Sequence, residues 1–197
     1  NSEGGLNSDY ETVKTFYRGA YKSEKLDMDW YAGLSSRDFG SNTFYSAKFD
    51  NQFEHTFKTY AAFSARTHGF VKVKPSIYWN RGQDRFELVR DNPAAVPFNY
   101  HRTSVTGANV DVWVETIAGK TVLGADVRNE DLLSTNLGET RDNPKKVPGH
   151  DAEYKKGLNR TNYSIFLEHT YEDRNITASA QSERSIFLDF SNCSPAL

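Results

Sequence analysis

The 197-residue chain is short of several things, and each shortage removes a class of protein. It has one cysteine, Cys193, so no disulfide within the chain is possible, and a single thiol near a terminus fits an incidental residue better than a catalytic one. Redox compartment stays open. It has no uninterrupted apolar run near the ~18 residues that a membrane helix needs, so a helical membrane protein is excluded. Its polar start, "NSEGGLNSDYE", lacks the charged-then-apolar order of a signal peptide. The net charge is -2, with 24 basic against 26 acidic residues, which leaves no electrostatic footprint for nucleic acid. Only 37% of residues are hydrophobic, and there is one methionine.

Motifs for chemistry are equally scarce. "AGKT" at Ala118 has Val114 where a phosphate-binding loop needs glycine, so it reads as a hairpin turn. His55, His68, His101, His150 and His169 show no metal-ligand spacing, no G-x-S-x-G elbow occurs, and no acid/base pair stands out. The reading is therefore non-enzymatic, with no cofactor and no metal. Glu130, Asp131, Glu139 and Asp142 form an acidic group that calcium could use, with simple solvation as the competing account. The Asn-x-Ser/Thr triplets lie in or beside predicted strands, where glycosylation is disfavoured.

What the chain does have is aromatics, 14% of it, arranged with period two. In "LDMDWYAGLSS", Leu26, Met28, Trp30, Ala32 and Leu34 alternate with Asp27, Asp29, Tyr31, Gly33 and Ser35, and successive strand side chains point to opposite faces. The same alternation recurs around Phe63, Ile77, Leu123 and Ile165, predicting amphipathic strands throughout. Asp27, Asp29, Lys58, Lys72, Lys74, Asp126, Arg128 and Glu168 all fall on the polar side. Phe166 and Trp113 are exceptions there, and His169 is one on the apolar side.

Connections alternate too. Short turns are predicted at Lys22–Lys25, Arg66–Gly69, Ala118–Lys120 and Tyr171–Asn175, and long ones begin at Arg37, Arg81 and Leu132. In an up-and-down meander this puts every short turn at one end. The pattern fits an outer-membrane barrel, with the apolar face toward lipid, and it also fits a soluble β-domain with that face inward.

The stretches "YKSEKLDMDWYAGLSSRDFGSNTFYSAKFDNQFEHTFKTYAAFSAR", "KPSIYWNRGQDRFELVRDNP", "NYHRTSVTGANVDVW", "GADVRNEDLLSTNLG" and "NRTNYSIFLEHTYEDRNITASA" together resemble the barrel of TonB-dependent outer-membrane receptors, in particular the vitamin B12-receptor-like branch of Bacteroides-type bacteria. The resemblance implies an all-β, antiparallel meander of about eight strands over residues 1–180, part of a 22-strand barrel in the Gram-negative outer membrane. It implies binding and active import of a large scarce nutrient, a corrinoid or an iron chelate, with outer-membrane lipid and TonB as partners. TonB acts through a plug domain that is not visible before Asn1, so the chain by itself is not expected to transport. Residues 181–197 do not resemble the family, which fits a vector-encoded or frame-shifted end. A lone segment is expected either to turn its apolar face inward or to pair with another copy.

Loops on one side of a scaffold are where binding resides, so Trp79, Arg81, Asp84, Arg85 and Phe86 are the candidate ligand contacts, expected on a loop. From another class comes a soluble carbohydrate-binding module that would use Trp79 and Phe86 as exposed aromatics.

Overall fold

The computed structural model describes residues 6–173 and 176–189. Nine strands form one antiparallel sheet: β1 (Tyr10–Lys22), β2 (Leu26–Asn42), β3 (Gln52–Thr67), β4 (Val71–Glu87), β5 (Asn99–Thr116), β6 (Gly119–Ser134), β7 (Glu139–Lys146), β8 (Glu153–Asp173) and β9 (Ile176–Asp189). The order follows the sequence from β1 to β6, which then pairs with β8, while β7 and β9 both pair with β8. Short connections at 23–25, 68–70 and 117–118 share one end of the sheet, and long ones at 43–51, 88–98 and 135–152 share the other, here called the rim. The expected alternation of connections holds; residues 174 and 175 of the β8–β9 turn lie outside the described residues, as does Cys193.

Cross-strand partners share a face, so the ladders assign every side chain. One row runs Gly19, Trp30, Phe63, Ile77, Ala108, Val127 and Tyr163. The adjacent row on the opposite face runs Arg18, Tyr31, Ala62, Tyr78, Gly107, Arg128 and Asn162. Oily and polar residues separate as the alternation predicts. The apolar face carries a band from Leu26 to Leu34 on β2, Val71 to Trp79 on β4 and Thr106 to Val114 on β5. Each stretch spans about 26 Å at ~3.3 Å per residue, close to what a tilted strand needs to cross hydrocarbon.

Among the described residues, Arg184 is the only permanently charged side chain within that band; β9 carries it opposite Ile165. The pattern thus holds through β8 and weakens on β9, which itself runs through position 180 without a break.

A soluble sandwich would lay a second sheet over the band. Here there is one layer, and Ile77, Ile165 and Leu167 remain 58%, 53% and 51% exposed. Among the described residues, the buried hydrophobic ones are Phe53, Tyr100, Leu133, Val147 and Tyr154, all at the rim.

Strands outrun the expected boundaries. β2 continues past Arg37 to Asn42, β4 past Arg81 to Glu87, and β6 past Leu132 to Ser134, before β7 forms inside the third long connection. Ladder hydrogen bonds are made by backbone, so pairing persists where the alternation of oily and polar side chains ends.

Pro75 lies where β4 can accommodate it. The β3–β4 ladder stops at Ser64 and Ser76, and the Thr67 hydroxyl accepts the Val73 N–H at 2.9 Å instead.

In the β5–β6 hairpin, Gly119 has φ +117°, and a Cβ there would lie 2.3 Å from the Thr170 carbonyl oxygen. Gly119→Ala is expected to cost about 1–3 kcal/mol, read as a lower unfolding midpoint in denaturant. No loss would mean that the turn tolerates the left-handed strain.

Candidate functional site

The rim is where chemistry-bearing side chains gather, because the apolar band has ended there while the strands continue. On the polar face, Glu54, Thr56, Asp84, His101 and Ser134 come from four adjacent strands. The 43–51 connection folds over this group. Tyr45 donates its hydroxyl to Glu54 Oε2 at 2.6 Å and packs edge-on to Phe86 at 5.0 Å. Hydrogen bonding to the Glu54 carboxylate, followed by burial, pushes the Tyr45 phenol up to about 12. Tyr45 is thus a fixed neutral donor.

Asp84 sits between Thr56 and His101 in the ladder. Burial raises its carboxyl above the ordinary value, with nearby Glu54 adding to the shift and His101 opposing it. The unfolded carboxyl titrates near 3.8. Between that pH and the folded value only the folded chain holds the proton, so this contribution is fully present below 3.8 and lost as pH rises through the folded value. Asp84→Asn is expected to remove that loss. The rim of the variant should resist protease better at neutral pH and match wild type below about pH 4, with the difference growing as pH rises. A pH-independent difference would assign the effect to something other than Asp84 ionisation.

One glutamine, Gln52, holds the 43–51 cover in place. It is fully buried; its Nε2 donates to the Ser46 and Phe49 carbonyls at 2.7 and 2.6 Å, and its Oε1 accepts the Tyr45 N–H at 3.2 Å. Nothing in the sequence pattern singles it out, since a polar residue at a strand start is unremarkable.

The opposite face of the rim is covered by residues 147–152. Val147 and Tyr154 pack with Tyr100 and Leu133, and the His150 ring lies 4.8 Å from that of Tyr100. Burial, with Arg85 adding to it, lowers the His150 pKa and favours the neutral ring. Arg85 Nε stands 2.8 Å from Glu87 Oε1, and Glu87 Oε2 accepts the Asp91 N–H at 2.8 Å. A second clamp joins the N-terminal segment to the 88–98 connection: Arg90 donates to both Asp9 oxygens at 2.7 and 3.0 Å while lying 4.3 Å over Phe53.

The candidate contacts fall differently from expectation. Trp79, Arg81, Asp84, Arg85 and Phe86 lie on strand β4, not on a loop, because backbone pairing with β3 and β5 continues through all of them. They also divide by face. Asp84 and Phe86 join the polar face beneath Tyr45, whereas Trp79, Arg81 and Arg85 point to the face that carries the apolar band. Trp79 and Phe86 therefore cannot form one carbohydrate platform. The acidic group does not converge either: Glu130 pairs with Arg128 and Arg160, Asp131 lies on the other face with Arg102, and Glu139 and Asp142 are exposed on β7. Among the described residues, no three potential metal ligands come together.

No family model matches the chain, and no curated protein matches it. Among solved structures it is similar to a copper transporter, OprC, with a TM-score of 0.64 at 12% identity over 94% of this chain. The match covers 30% of that protein, so this sheet corresponds to less than a third of a longer chain. The likeness is one of fold, and it agrees with the ladders: an all-β, up-and-down sheet matching a segment of barrel wall.

Proposed function

We propose that the chain is a section of the wall of a TonB-dependent outer-membrane receptor, whose whole length binds and imports a scarce nutrient. One observation carries the reading. A single uncovered sheet has a nearly charge-free apolar band on one face, the charges at the same depth on the other, and short turns at one end only. A Lys or Arg facing mid-bilayer costs about 2–4 kcal/mol, so this segregation is what hydrocarbon demands. The resemblance to OprC supports an importer's architecture, and the resemblance in sequence supports a corrinoid or an iron chelate as cargo. Asp84 and Phe86, with Tyr45 and His101, are the residues of this segment placed to meet a polar cargo entering from the rim.

Orientation tests the reading. In the longest natural protein containing this chain, with Cys193→Ser as background, single cysteines at Asn92 and Gly149 should react with an impermeant maleimide on intact cells. Cysteines at Ser23 and Ala118 should react only after the envelope is opened. Equal labelling at both ends would defeat the proposal.

A further inference from the structure

The apolar band is not smooth. Across β2 to β6 it is indented by an open groove of about 720 Å³, floored by Ala32, Ala61 and Ala108 and walled by Trp30, Phe63 and Trp79. The indentation follows from residue size: Ala32 and Ala61 are direct ladder partners, with Trp79 completing their row and Trp30 and Phe63 standing in the next. Its volume lies within the ~300–1,000 Å³ of small-molecule sites.

At the rim-ward edge stands Arg81, two residues beyond Trp79 on the same face. Its guanidinium lies 5.2 Å over the Trp79 ring, and its Nε donates to Ser104 Oγ at 3.2 Å. Arg85 and Arg102, higher on that face, are paired with Glu87 and Asp131. Arg81 is in no ion pair among the described residues. An unneutralised cation, fixed by an aromatic ring and a hydroxyl at the polar end of an apolar groove, matches a ligand with an oily tail and an anionic head.

We propose that this groove is a binding site for an anionic membrane lipid, one acyl chain lying over Ala32 and Ala61 between the aromatic walls and its phosphate on Arg81. The proposal rests on the outer-membrane reading above. It also assigns Trp79 and Arg81 a role in lipid recognition, separate from cargo.

The two groove tryptophans report on it directly. With every other tryptophan, Trp113 of the opposite face included, replaced by phenylalanine, the natural full-length protein is placed in vesicles of neutral phosphatidylcholine. These contain a small fraction of phosphatidylglycerol or phosphatidylcholine brominated on its acyl chains. The anionic lipid should quench at about five-fold lower mole fraction than the neutral one. Arg81→Gln should bring that ratio to about one, Arg81→Lys should restore most of it, and Ala61→Leu, which fills the floor and keeps the cation, should reduce it.

Equal quenching by the two lipids in the wild type, or a preference surviving Arg81→Gln, overturns the lipid site while leaving the membrane reading intact. Absence of quenching by any brominated lipid means that the apolar band does not face lipid, and it takes down both.

Discussion

Val110→Arg is expected to cost the folded protein about 2–4 kcal/mol in vesicles, whereas Asn109→Arg, one residue away, should change stability by less than about 0.5 kcal/mol. Val110 stands between Pro75 and Ala125 in the middle of the apolar band, and Asn109 points to the other face between Ser76 and Asp126. On the membrane reading a guanidinium at the first position meets hydrocarbon; at the second it meets the Asp126 carboxylate. Urea-driven unfolding from vesicles reads both. Equal costs would mean that the two faces see similar surroundings and that the band is not a membrane surface. β9 offers the reverse experiment: Arg184 already stands on the apolar face opposite Ile165, so Arg184→Leu should stabilise by a similar order.

Gln52→Ala is expected to release the 43–51 connection at a cost of roughly 3 kcal/mol, since three part-buried hydrogen bonds are lost together. The Phe49 carbonyl and the Tyr45 N–H lose their bonds to the amide, and the Ser46 carbonyl keeps only the Phe49 N–H at 3.3 Å. The effect should be local. Amide exchange at Tyr45 should accelerate by about two orders of magnitude, and trypsin should cut after Lys48 under conditions where wild type is intact. Unchanged exchange at Tyr45 would show that Tyr45 and Phe86 hold the cover without Gln52.

The sequence is informative where side-chain chemistry and strand geometry coincide. Leu26 to Leu34 could be assigned to one face because burial demands alternate there, and the structure keeps that assignment across seven strands, β1 to β6 and β8. At Arg37, Arg81 and Leu132 the demand ends, since oily and polar residues no longer separate by face: Phe39, Phe86 and Leu132 stand on the polar side. The ladder nevertheless runs on, carried by backbone groups that leave no mark in the residue pattern. Expected loop contacts such as Asp84 and Phe86 therefore appear on a strand. β7 was hidden for the same reason: "ETRDNPKK" is charged, exposed and interrupted by Pro144, and its pairing with β8 has a register shift between Thr140 and Lys145. Nor could spacing bring Tyr45 onto Glu54, or Asp9 onto Arg90, because those contacts depend on where the connections fold back.

β7 also sets a limit on its neighbour. β6 occupies one edge of β8 from Lys156 upward, so β7, pairing with the same Lys156 and Gly157, must take the other edge, the one on which β9 pairs up to Arg160. β7 therefore stands above the end of the β9 ladder like a doorstop. If β9 slid by four residues toward the rim, it would keep each side chain on its proper face, a slip that alternation by itself does not forbid, but its end would fall on Lys156 and Gly157, which β7 already holds. β7 blocks it. In any closed ring that includes this sheet, the accumulated stagger between strands fixes their tilt and the ring's diameter. In such a ring, an eight-residue charged arm beyond the apolar band would act as a gauge for the bore.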